Sequence, residues 1–307
     1  APVIGRDTVL AGREAATFIL SAPLRLPINP DQVTLAAQLP LDSLRLCGLN
    51  LRRLSVPVEL NRGRLRAQIA APLEGGQLAL RPEWQWERGQ SILTLPPASQ
   101  VLLDAPLRPG LVAGLLAELH PLLGALAVPE GAVDLRLDGL TLPLAGKGAA
   151  QPTFKAVIDL DRMRLKPVGP LRALLELAGL PVGELRSKER ELACEGAKGR
   201  MSCAPLRLLA GDQDIVVRGT AGAGGALDYR VELPLTDTLA AQAHLSMLGE
   251  VKVEAAIGGT RATPLFDQPA FLASLAARAA AAATATVDES PADGESGQGK
   301  SDRKSVV

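Results

Sequence analysis

Apolar and polar residues alternate along most of the chain. From Val33 to Leu41 the odd positions are apolar, with Thr34 and Gln38 among the even ones. Leu54, Val56, Val58 and Leu60 continue the alternation, and Asn61-Arg62-Gly63 reads as a turn. Leu65, Ala67 and Ile69 follow, then the turn Glu74-Gly75-Gly76, then Leu78 and Leu80. A period of two places every second side chain on one face of a strand. Arg64, Arg66, Gln68 and Gln77 then fall on the opposite, wet face. Turns recur about every ten to fifteen residues, as in an antiparallel meander. Trp84 and Trp86 share a face and read as a local anchor at a strand end.

The same alternation is strongest in residues 200–264. It runs through Ile215 and Val217, then Leu227, Tyr229, Val231, Leu233 and Leu235, then Val251, Val253, Ala255 and Ile257. Glycine clusters at Gly219–Gly225 and Gly258–Gly259 separate these runs and suit hairpin turns.

Residues 106–127 change period. Leu111, Leu115, Leu119, Leu122 and Leu126 recur at helical spacing after Pro109, which suits a first helical turn. Pro121 is expected to kink or split this helix. A helix so apolar is buried, and it is expected to plug or cap the apolar face of the sheet. Shorter helices are expected after Pro170, closed by Gly179, and over 236–248, capped by Thr236 or Thr238. An Ala-rich helix follows Asp267, and the tail 286–307 is polar and read as disordered. The expected fold is mainly β: an extended, curled antiparallel sheet forming an open groove or trough, with a few short helices. Its parts are a meander over 1–105, a second groove region with interspersed helices over 106–285, and the tail.

Composition sharpens this picture in one respect. Of the 307 residues 47% are hydrophobic but only 2% aromatic, so the apolar surface is almost entirely Leu, Ala and Val. A GC-rich genome gives the same bias. A smooth aliphatic lining also suits hydrocarbon of many shapes, whereas compact cores usually exploit the large area of aromatics. Formal net charge is zero and no long basic run occurs, so no nucleic-acid partner is expected. No apolar run reaches the roughly 20 residues that span a bilayer.

Catalytic constellations are absent. The two histidines, His120 and His244, lie in apolar or helical contexts, and no zinc-protease, nucleophile-elbow or phosphate-loop pattern occurs. The Gly219–Gly225 run leads into a strand, which leaves no helix N-terminus for a phosphate. Asp134 and Asp138 alternate with apolar residues and read as solvent-facing. No enzyme activity, metal or cofactor is expected. Three cysteines are too few for a disulfide scaffold. Cys194 and Cys203 stand directly opposite one another if Lys198-Gly199 is a two-residue turn, close enough for a disulfide in an oxidising compartment. The alternative is a reduced pair.

The order of phrases in 200–264 is specific: an amphipathic strand, G-x-hydroxyl, a glycine turn, LDYRVELPL, then VKVEAAIGGTRATP. It resembles the C-terminal region of the AsmA-like envelope proteins, a family that includes the TamB-type β-groove proteins regarded as intermembrane lipid carriers. The resemblance covers roughly residues 100–285 well and the first hundred more loosely, and the Leu-rich helix leading to TLPLAG is part of it. It implies a non-enzymatic protein that shields and conducts lipid acyl chains, phospholipid above all, in outer-membrane biogenesis. It also implies the periplasmic side of the envelope and membrane association, with an inner-membrane anchor in the full-length form. The expected lining is Ile215, Val217, Leu227, Tyr229, Val231, Leu233, Val251, Val253 and Ile257. The alternative is a structural or assembly accessory of the envelope, similar to type II secretion protein N.

Overall fold

The computed structural model describes residues 9–12, 15–23, 30–87, 90–120, 122–145, 151–222, 224–243 and 251–288. The protein is mainly β, 59% strand and 19% helix, so the alternation read from the sequence governs the architecture. Among the described residues twenty-one strands form one antiparallel sheet, which curls around short helices.

The first strands are β1 (Val9–Ala11), β2 (Thr17–Ser21), β3 (Thr34–Leu46), β4 (Leu49–Asn61), β5 (Arg64–Ala67), β6 (Ile69–Leu73) and β7 (Gly76–Leu80). After them come β8 (Glu83–Glu87), β9 (Gln90–Leu95), β10 (Ser99–Pro106), β11 (Ala127–Ala145), β12 (Thr153–Asp159), β13 (Met163–Pro167) and β14 (Leu185–Ser187). The rest are β15 (Glu191–Ala197), β16 (Arg200–Cys203), β17 (Leu206–Ala210), β18 (Gln213–Gly222), β19 (Leu227–Pro234), β20 (Lys252–Gly259) and β21 (Pro264–Phe266).

Long strands alternate with pairs of shorter ones laid end to end. β1 and β2 both pair with β3, which pairs with β4. From β5 the ladder passes through β8 and β9, and from β6 through β7 and β10; both arms converge on β11. Beyond β11 it divides again, through β12, β15 and β16 and through β13, β14 and β17, to rejoin at β18. β19, β20 and β21 complete it. The sheet is therefore continuous across residue 105, and the two regions read from the sequence share it.

β11 is a single strand of 19 residues where the sequence shows two phrases. Gly131 and Gly139 sit at φ 106° and 131°, so the strand bends there without breaking. A second irregularity lies in β3 and β4. The inward apolar side chains of β4 switch from odd (Leu49, Leu51) to even (Leu54, Val56, Val58) across Arg53, at φ 54°, and those of β3 switch with them, from odd (Leu39, Leu41) to even (Leu44, Leu46), so the pairing register is kept.

Three contiguous segments, Pro109–Leu111, Val112–Leu116 and Ala117–Leu119, form the Leu-rich helix, labelled α1. Pro109 occupies its first turn, as expected. The helix stops at Leu119, and His120, the residue before Pro121, is extended at φ −150° and ψ 111°. Leu122–Leu126 do not resume the helix, because Leu123 and Gly124 leave helical geometry. The other helices are α2 (Gly169–Leu177), α3 (Asp237–Gln242) and α4 (Gln268–Asp288). Thr236 caps α3 by accepting the Leu239 amide, and Asp267 likewise accepts the Ala270 amide at the start of α4. The expected 236–248 helix ends at Gln242, with Ala243 as its C-cap, and residues 244–248, His244 among them, lie outside the described residues. α4 runs to Asp288, into the tail expected to be disordered from 286, and the rest of that tail lies outside the described residues.

Candidate functional site

α1 decides which part of the apolar face is open. Its first turns press on the β3–β4 hairpin, where a Cβ on Gly110 would meet the Gly48 carbonyl at 2.4 Å and one on Gly114 the Cys47 carbonyl at 2.6 Å. Glycine at both places permits the contact. At its far end the Leu119 carbonyl lies 3.5 Å from the sulfur of Cys203. Glu118 pairs with Arg261 in the turn after β20, and the His120 ring packs 5.6 Å from that of Tyr229. α1 thus crosses the concave face from β4 to β19.

On the C-terminal side of this crossing the concavity is filled. Ile215, Val217, Val231, Leu233 and Ile257 are wholly buried, and Leu227, Tyr229 and Val253 nearly so. These residues belong to one hydrophobic core, which Leu171, Leu174 and Leu175 of α2 and Leu239 of α3 share. In this structure they are core, not the lining of an open groove. Val251 is 40% exposed and precedes β20 altogether. Alternation identifies the inward face but carries no information about what covers it.

The open part is on the other side of α1. A cavity of about 170 Å³ lies between the helix and β3–β12. Leu115, Glu118 and Leu119 of α1 form its floor, with Leu46, Cys47 and Leu49 of the first hairpin beside them. Leu78, Leu80, Leu95 and Val101 form one wall, and Leu135, Leu137, Leu140 and Leu142 of β11 with Phe154 of β12 form the other. Among the described residues Glu118 is the one charged lining group, and it is engaged by Arg261.

Above the cavity a transverse apolar band crosses seven strands. Ladder pairing sets Leu20 opposite Leu35, Leu35 opposite Leu60, Leu60 opposite Leu65, and Leu65 opposite Trp84. Trp84 faces Leu93, and Leu93 faces Leu142. Exposure rises from 4% at Leu142 to 57% at Leu20. Six inter-strand steps amount to roughly 29 Å of apolar arc leading outward from the cavity. Leu35, Leu60, Leu65, Leu78 and Leu80 were legible in the sequence as an apolar face. Leu46, Leu49, Leu137, Leu140 and Phe154 were not singled out as lining, and the signal lay in their alternation alone.

Two titratable groups, His120 and Tyr229, lie at the end of α1. Burial holds His120 at about 4, so it stays neutral, and its Nδ1 accepts the Leu122 amide 3.1 Å away. Burial pushes the Tyr229 phenol well up, against the opposing charge of Arg261. A polar concavity on the outer face, of about 570 Å³, is lined by Glu59, Arg66, Arg81 and Glu83. Burial disfavours ionisation of Glu83, but hydrogen bonds from Gln85 and Arg66 and the charges of Arg66 and Arg64 outweigh it and hold its carboxyl below the usual range. Among the described residues no cluster of three or more His, Cys, Asp or Glu side chains is placed to hold a metal.

Cys194 and Cys203 are joined by a disulfide, across a turn with Lys198 and Gly199 at φ 51° and 70°. No described helix is long and apolar enough to cross a membrane. Comparison with protein-family models, with characterised proteins and with solved structures finds no match to this chain.

Proposed function

We propose that the protein is a non-enzymatic lipid-handling protein of the cell envelope, which shelters hydrocarbon in the N-terminal trough. One observation carries this reading: an almost purely aliphatic cavity continues outward as a half-buried apolar band and is not filled by the protein's own side chains. Each methylene moved from water into such a lining gains about 0.8 kcal/mol. An acyl chain of about sixteen carbons laid along cavity and band would gain roughly 12 kcal/mol if fully covered. A charged headgroup would remain in water at the rim. The Cys194–Cys203 disulfide suits an oxidising compartment such as the periplasm. The AsmA-like resemblance of 200–264 supports the same class of function, although the lining expected there is filled and the open trough is N-terminal.

A second reading, a structural or assembly accessory of the envelope, is favoured by the C-terminal concavity, whose described inward side chains are buried. Native mass spectrometry and organic extraction of the purified protein separate the two. The lipid reading expects bound lipid in the wild type and its loss from Leu140→Trp, which puts an indole into the cavity without enlarging the filled core. Wild-type protein free of lipid, and unable to take up a long-chain acid, leaves the structural reading.

A further inference from the structure

β2 is an outermost strand of the sheet; it pairs with β3 on one side and with no other strand among the described residues. All five of its residues are exposed. Phe18 is 65% exposed, Ile19 77% and Leu20 57%, so both faces of this edge are apolar and bare. Natural edges are usually blunted by charge, proline or a bulge, and Thr17–Ser21 carries no charge or proline.

We propose that the open end of the trough docks on a lipid bilayer, with Phe18, Ile19 and Leu20 entering the boundary between headgroups and acyl chains. This rests on the hydrocarbon-binding reading and extends it to where the cargo enters. Leu20 is the outer end of the apolar band, so the strand that meets the membrane is the strand at which the path to the cavity begins. A strand added by a protein partner would satisfy the edge amides and carbonyls, yet it would not by itself cover both faces of β2. The headgroup–acyl boundary covers both at once. The unpaired main chain of β2 sets the depth, because lipid would strip it of water; entry stops at about 5–10 Å.

The rest of this end has the composition of a membrane interface. Ladder register places Trp86 one residue beyond the row of Ser21, Thr34, Asn61, Arg64 and Gln85, at the same end as β2. Trp86 is 47% exposed and stacked 5.0 Å from Trp84. Indoles prefer the headgroup level. The turns at this end present Arg62, Lys198 and Arg200, all exposed and without an ion pair among the described residues. Such cations attract anionic headgroups.

Flotation of the full chain with vesicles tests the inference, using phosphatidylcholine alone and phosphatidylcholine with phosphatidylglycerol. The wild type should float, more strongly with the anionic lipid, and its tryptophan emission should shift to the blue. The variant Phe18→Ser, Ile19→Ser, Leu20→Ser should bind at least about tenfold more weakly at an unchanged melting temperature, since the three side chains are exposed. Arg62→Glu with Lys198→Glu should remove the preference for phosphatidylglycerol. Wild-type protein that floats with neither vesicle overturns the inference, as does a triple variant that floats like the wild type. A wild-type dimer made monomeric by the triple substitution also overturns it and assigns the edge to a second copy. Native mass spectra of the same samples report trough occupancy separately. Lipid in the trough of a triple variant that no longer floats supports both readings, whereas flotation by wild-type protein with an empty trough supports docking and sinks hydrocarbon binding.

Discussion

The ring of His120, at the end of the crossing helix, lies 5.6 Å from that of Tyr229 in the middle of β19. Tyr229 is 2% exposed and His120 equally so. This contact marks the boundary between the filled and the open halves of the concave face, and the predictions differ on its two sides.

On the filled side, a charge should unfold the protein. Val231→Asp and Val253→Asp place an unpaired carboxylate among Leu, Ile and Val side chains, at a cost of about 4 kcal/mol or more. Arg230→Asp and Glu232→Lys, on the outer face, break exposed ion pairs with Glu254, Arg218 and Lys252 and should cost about 1 kcal/mol or less. Chemical denaturation of the four variants measures both.

The contrast shows what the sequence could carry. Strand, turn and helix starts were written locally: alternation through Leu227–Leu233, Pro109 opening α1, Thr236 capping α3, and a two-residue turn that faces Cys194 with Cys203. The location of the trough was not. Leu142 and Val231 both sit in alternating runs, although β11 changes phase at Gly139, and they differ because α1 passes over one side of the face and leaves the other. That path depends on long-range contacts such as Gly48 with Gly110 and Glu118 with Arg261, which no local period encodes. The extent of α1 was overestimated for a related reason. Leu122 and Leu126 keep helical spacing, yet they are buried in a non-helical turn where Gly124 reaches φ 125°.

Reduction of the Cys194–Cys203 bond should lower stability by about 2–3 kcal/mol, the loop-closure value for a short loop. Melting with and without reductant measures the loss. Alkylation of the denatured protein followed by intact mass should block one thiol before reduction and three after it.

Stability should fall on mild acidification because of His120. The folded protein keeps this side chain neutral, with a pKa of about 4 against 6.5 for an unperturbed histidine, and burial is the cause. Between these values the unfolded chain binds the extra proton, so the contribution is complete above pH 6.5 and is lost as pH falls toward 4. The total is about 3 kcal/mol. His120→Asn keeps an acceptor for the Leu122 amide and does not titrate. Its unfolding free energy should vary less steeply than that of the wild type between pH 7 and pH 5.

Cys47 reports on the trough floor. Burial pushes its thiol up to about 11, so at pH 8 the thiolate fraction is on the order of one in a thousand. Alkylation of the native protein should be slow, and slower still once a long-chain acid is bound. Leu115→Ala, which widens the cavity beside it, should speed the reaction in the empty protein.

Photo-crosslinking with a diazirine-bearing long-chain fatty acid tests the central claim most directly, because it shows where hydrocarbon lies. Peptide mapping should place the adducts in residues 46–49, 78–80, 93–95, 115–119 and 135–142, with competition by unlabelled acid and loss in Leu140→Trp. Adducts concentrated in Ile215–Val217 or Leu227–Ile257, or spread over the surface without competition, would contradict the account.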